Sequence, residues 1–76
     1  MKPIVLKSTT LNRVAYDAGR KLLQIEFRGG VVYHYVGVPA EAYEALLAAP
    51  SKGGYFNRVI RGRFAYARQT AARPLS

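Results

Sequence analysis

Apolar and polar positions alternate most regularly over residues 21–28, where Leu23, Ile25 and Phe27 interleave with Gln24, Glu26 and Arg28. A period of two predicts a half-buried β-strand. Gly29-Gly30 follows, and residues 31–36 are rich in β-branched and aromatic side chains, so the two runs predict a β-hairpin. Loop length decides which face the tyrosines take. A two-residue turn pairs Phe27 with Val32 and Ile25 with His34, leaving Tyr33 and Tyr35 on the face of Gln24 and Glu26. A three-residue loop over 28–30, with Gly30 left-handed, pairs Ile25 with Tyr33 and moves both tyrosines to the face of Leu23, Ile25 and Phe27. Both loops are common, and one residue of register moves every side chain to the other face. The bulged loop is favoured because it sets large aromatics beside large aliphatics.

An earlier strand is predicted over residues 12–16, where Val14 and Tyr16 alternate with Arg13 and Ala15, and Asp17-Ala18-Gly19-Arg20 reads as a turn. Residues 1–11 read as a short lead-in strand or a loose arm. After the hairpin the period changes. Pro39 suits the start of a helix, Glu41 and Glu44 complement the helix dipole, and Tyr43, Leu46 and Leu47 form an i, i+3, i+4 stripe. Pro50 ends that helix. A second short helix is expected from Ser51-Lys52-Gly53-Gly54 onward, with Phe56, Val59 and Ile60 as its buried stripe and Gly62 at its end. Residues 63–68 then read as a short strand or an extended arm. The expected fold is α+β: a small antiparallel β-meander of three or four strands packed by two short helices. One domain is expected over 1–76, with a core at about 8–66 and a flexible tail at 69–76.

Composition narrows the chemistry. The chain has 76 residues, no cysteine and one histidine, His34. Disulfides and a zinc site, the usual supports of a domain this small, are therefore not expected. Half of the residues are hydrophobic, so packing alone has to hold the fold. The opening Met1-Lys2-Pro3-Ile4-Val5-Leu6 stops at Lys7, too soon for a secretory signal, and no stretch approaches the roughly 20 apolar residues of a membrane helix. A cytoplasmic location is expected. Net charge is +8, with 12 Lys and Arg against 4 acids. No acid follows Glu44, whereas Lys52, Arg58, Arg61, Arg63, Arg68 and Arg73 do. Such an uncompensated field attracts polyanions.

The order of elements carries a resemblance. Val14-Ala15-Tyr16-Asp17, Leu23-x-Ile25-x-Phe27, Tyr33-His34-Tyr35, Val38-Pro39, Ser51-x-Gly53 and Tyr55-Phe56-Asn57, at these spacings, resemble the KTSC domain over about residues 8–66. That family is named after a segment at the C-terminus of some lysyl-tRNA synthetases and also occurs as small stand-alone bacterial proteins. The resemblance implies no catalytic residues and suggests an RNA partner.

The residues point the same way. One histidine and four scattered acids offer no acid–base pair. Ser51 has no triad partner near it in the sequence, and neither Gly-Gly pair matches a phosphate-cradling loop. A non-catalytic module without a cofactor is expected. Lys52, Arg58, Arg61 and Arg63 form the expected phosphate-contact cluster, with Arg58 and Arg61 three apart and hence on one helix side. Tyr33 and Tyr35, with Tyr55 and Tyr66, are candidate stacking platforms for unpaired bases; core packing is the competing role, and at most two are expected to be exposed. Asn57 is a candidate for a base edge, or a brace for its loop. The expected partner is RNA, with tRNA and single strands as the two candidate forms. A protein partner at a β-edge or on the basic face is the alternative. A membrane surface is not expected, because the first helix carries acids rather than bases, and the domain is expected to be a monomer.

Overall fold

The loop at the hairpin tip has three residues. In the computed structural model, which describes residues 3–69, the Phe27 amide donates to the Val31 carbonyl at 2.8 Å and Gly30 donates back to Phe27 at 3.0 Å. Gly29 and Gly30 both have positive φ, 98° and 92°, a region that side chains with a Cβ rarely enter. Ile25 consequently faces Tyr33, and Leu23 faces Tyr35. Both tyrosines lie on the apolar face, as the favoured register requires.

Around this hairpin, the described residues form five antiparallel strands in one sheet, in chain order: β1 (Ile4–Val5), β2 (Leu11–Asp17), β3 (Leu22–Phe27), β4 (Val32–Val36) and β5 (Tyr66–Arg68). The count exceeds the expected three or four because both edges are strands, of two and three residues. Strands this short lie below the four-to-eight-residue window in which alternation is readable. β1 is the lead-in strand that the sequence left open against a loose arm. The expected tail at 69–76 begins with a tied residue, since the Gln69 amide donates to Val32 at 2.8 Å; its remainder lies outside the described residues.

Between β4 and β5 the chain forms α1 (Ala40–Ala48), α2 (Lys52–Tyr55) and, directly after it, a π-helical turn (Phe56–Ile60). The helical segments pack on one face of the sheet. Leu46 of α1 and Phe56 and Ile60 of the π-turn meet Val14, Leu23, Ile25 and Tyr35, and Leu6, Leu11 and Val38 complete the core. The stripes predicted for both helices therefore face inward, with Tyr43, Leu47 and Val59 half-buried.

Four contacts fix how the helices enter. The Tyr16 hydroxyl donates to the Val38 carbonyl at 2.6 Å, and its ring stacks on Tyr43 at 4.7 Å, so β2 holds the segment leading into α1. Ser51 caps α2, its Oγ accepting from the Gly54 amide at 3.2 Å. Gly53 is buried against the β1–β2 loop, where a Cβ would sit 3.0 Å from Thr10 Oγ1 and 3.2 Å from Thr10 Cβ. A glycine here is what lets helix and loop come together.

Candidate nucleic-acid interface

The register that turns Tyr33 and Tyr35 inward also aligns them with β5. Arg68 pairs with Tyr33, and Tyr66 with Tyr35; directly opposed residues project to the same face. Among the described residues β5 is the edge strand of the sheet, and Tyr66 remains 61% exposed there. Phe27 reaches the same place from the hairpin and Phe56 from the π-turn. The five rings form a closed circuit: Phe27–Tyr33 at 5.6 Å, Tyr33–Tyr66 at 5.6 Å, Tyr66–Tyr35 at 5.5 Å, Tyr35–Phe56 at 5.5 Å and Phe56–Phe27 at 5.2 Å. They line a cleft of about 370 Å³ whose remaining walls are Thr10, Asn57 and Arg61.

The π-turn shapes the rim of this cleft. Its closing bond runs from the Arg61 amide to the Phe56 carbonyl at 2.8 Å, one residue longer than an α-helical bond. Arg61 itself is extended (φ −65°, ψ 126°), and Gly62 follows at φ 84°. Arg58 and Arg61 therefore do not share a helix side as their spacing suggested, because the helix ends between them. Arg61 lines the cleft, and its charge opposes the burial that raises the Tyr35 hydroxyl above its ordinary value of 10.0; the Tyr33 and Tyr66 hydroxyls raise it further. Arg58 folds back toward α2, with a guanidinium nitrogen 3.3 Å from where a Gly54 Cβ would be.

A second hollow of about 300 Å³ adjoins the first and shares Thr10 and Asn57 with it. Its other walls include Lys7, Ser8, Thr9, Ser51 and Lys52, so it is polar and basic where the cleft is aromatic. The β1–β2 loop that builds it is well held. Ser8 Oγ accepts from the amides of Thr10 (3.1 Å) and Leu11 (3.2 Å), and the Arg28 guanidinium donates twice to the Ser8 carbonyl, at 3.2 and 2.9 Å.

Of the residues singled out from the sequence, Tyr33, Tyr35, Asn57, Arg61 and Tyr66 meet in the cleft, and Lys52 joins Asn57 in the hollow. Arg58 and Arg63 are exposed and line neither. Tyr35 is buried, Tyr33 and Tyr55 are half-buried, and Tyr66 is exposed. Asn57 is exposed and braces no loop through its side chain, which makes no hydrogen bond among the described residues. Sequence reasoning placed Phe27 and Phe56 only in the core and gave Thr10 no role. Phe27 was recoverable from the bulged hairpin, which puts it on the face of Tyr33.

No acid lines either cavity among the described residues. Glu26 is engaged on the opposite sheet face by Arg13, whose Nε donates to it at 2.7 Å, and by Asn12 at 3.1 Å. Asp17 pairs with Arg20, and Glu41 and Glu44 are exposed on α1. Among the described residues, Lys7, Lys52, Arg58, Arg61, Arg63 and Arg68 thus have no acidic partner. His34, also on that opposite face, bonds Gln69 Oε1 through Nε2 at 2.9 Å, a structural contact. No group of three or more His, Cys, Asp or Glu side chains converges among these residues, and no helix there is long and apolar enough to cross a membrane.

Comparison with known proteins adds a family. The model of the KTSC domain family matches residues 7–64. An uncharacterized protein of Stutzerimonas stutzeri is 41% identical over 61 residues, covering 80% of this chain and 86% of that one. A lysine–tRNA ligase of Nostoc punctiforme is 38% identical over 60 residues, which are 79% of this chain and 11% of the ligase. The crystal structure of a KTSC domain protein from Yersinia pestis superimposes with a TM-score of 0.85 at 33% identity, covering 90% of this chain and 96% of that one.

Proposed function

The chain belongs to the KTSC domain family, and from that premise we propose that it is a non-catalytic, cytoplasmic module that binds RNA through unpaired bases. The observation that carries the reading is the five-ring cleft, open to solvent at Tyr66 and rimmed by Arg61 and Asn57, with no acid in its walls among the described residues. Every base has a π-face, so an aromatic cleft gains roughly 1–3 kcal/mol per stacked base without choosing a sequence. Asn57 has donor and acceptor groups free for a base edge. The surrounding cations lack acidic partners, so they reach phosphates without first breaking an ion pair. The ligase relative supports RNA as the polyanion, since an enzyme named for charging a tRNA carries a similar segment.

A protein partner at a β-edge is the second reading. β1 supports it, because Val5 is 73% and Ile4 40% exposed on an open edge. Salt separates the two. About four phosphate contacts on a single strand give a slope of about −3 in log affinity against log salt, or roughly a 50-fold loss between about 50 and 200 mM. Strand addition depends little on salt. The test is filter binding of tRNA and of single-stranded RNA at those two concentrations. Salt-sensitive retention of either supports the proposal, and no retention at low salt overturns it.

A further inference from the structure

The two cavities adjoin and differ in chemistry, which points to a ligand that is flat and apolar at one end and anionic at the other. We propose, building on the RNA reading, that they form a site for one nucleotide unit. The base enters the five-ring cleft and its phosphate enters the hollow beside Lys7 and Lys52. Thr10 and Asn57, the wall common to both, face the sugar between them.

Each half suits its part. Volumes of about 370 and 300 Å³ are those of small-ligand pockets, well above the room a bound water needs. The cleft offers ring faces, with Tyr66 as the exposed one. The hollow offers donors that the fold has left available. Lys7 has no acidic partner, and Lys52 uses one of its three protons on the Ala49 carbonyl at 3.0 Å. The hydroxyls of Thr9 and Thr10 make no hydrogen bond among the described residues, and those of Ser8 and Ser51 only accept, which leaves their protons to donate. At the shared wall, the Asn57 amide and the Thr10 hydroxyl each both donate and accept, as a ribose 2′-OH does.

The site is also assembled in advance. Thr10 is held between the Gly53 backbone on one side and the Ser8–Arg28 bonds on the other. Binding therefore has little loop to order, a saving in affinity.

The test uses the whole chain, labelled with nitrogen-15 and titrated separately with adenosine 5′-monophosphate, adenosine and inorganic phosphate. The monophosphate is expected to shift amide signals in both regions, residues 7–10 and 51–54 as well as 33, 57 and 66. It should bind about tenfold more tightly than adenosine, whose shifts should stay in the cleft. In a Lys7→Ala, Lys52→Ala variant that advantage should vanish, while amides remote from the hollow keep their positions and report an intact fold. Equal affinity for nucleoside and nucleotide, or no shifts at about 10 mM, overturns the one-nucleotide site. A parallel titration with a single-stranded oligoribonucleotide separates the two proposals. If the oligonucleotide binds in a salt-dependent way and the mononucleotide does not, the one-nucleotide site fails and RNA binding stands. If neither binds, both fail.

Discussion

Replacing Tyr66 by alanine removes the one ring of the circuit that is mostly open to solvent. It should weaken RNA binding far more than it weakens the fold. Its ring touches Tyr33 at 5.6 Å edge-on and Tyr35 at 5.5 Å in a tilted pair. Aromatic pairs contribute about 0.5–1.5 kcal/mol each beyond simple burial, and 61% exposure on a three-residue edge strand puts these at the low end. A stability loss of about 1 kcal/mol is expected, or about 4–8 °C in Tm for a domain of this size. Losing a stacking face costs about 1–3 kcal/mol of affinity, which raises Kd about five- to 150-fold. Tyr66→Phe keeps the face and should bind like the parent chain. The assay is fluorescence anisotropy of a short labelled single-stranded RNA at one fixed salt concentration, with a thermal melt of each variant. A folded Tyr66→Ala variant that binds as tightly as the parent would refute the stacking role.

Three other outcomes follow from the same geometry. Combined Arg58→Ala, Arg61→Ala and Arg63→Ala should flatten the salt dependence of RNA binding by about two units of log–log slope with unchanged circular dichroism; an unaltered slope would place the phosphates elsewhere. Gly53→Val would drive a branched side chain into Thr10, where even a Cβ meets Oγ1 at 3.0 Å. Overpacking of about 2 kcal/mol should lower Tm by about 8–16 °C, and an unchanged melt would mean that the loop gives way freely. Tyr16→Phe deletes the 2.6 Å bond to Val38 at about 1 kcal/mol. It should also soften the alkaline loss of stability. The Tyr16 hydroxyl is raised above 10.0 by burial and then by the charges of Glu41 and Asp17, and burial raises Tyr43 and Tyr35 as well. Folded tyrosines thus keep protons that unfolded ones release, so stability holds below about pH 10 and falls as pH rises beyond it. Urea melts between pH 8 and 11 check the sign, and a parent chain that gains stability on that path contradicts it.

Most of the sheet was readable because its signals are local. The alternation of Leu23, Ile25 and Phe27 marked β3, and the Gly29-Gly30 pair, together with the need to bury Tyr33 and Tyr35, selected the bulged loop that the structure shows. The helix stripes followed from spacing in the same way. What stayed hidden depends on distant pairing. β1 and β5 are too short to show a period, so the strand count fell below five. The cleft draws its rings from positions 27, 33, 35, 56 and 66, and no local pattern reports that they converge. The π-turn separates Arg58 from Arg61 by ending the helix at Ile60, and a spacing rule written for an α-helix cannot register that. Thr10 acquires its place only because Gly53 packs against it, a contact 43 residues apart in sequence.

Chemical-shift mapping of the intact chain with a short single-stranded RNA reaches the central claim most directly. Signals of Thr10, Phe27, Asn57, Arg61 and Tyr66 should move together and saturate with one Kd that rises with salt. Shifts confined to Ile4 and Val5 on the β1 edge, or to Gln24 and His34 on the opposite sheet face, would contradict it.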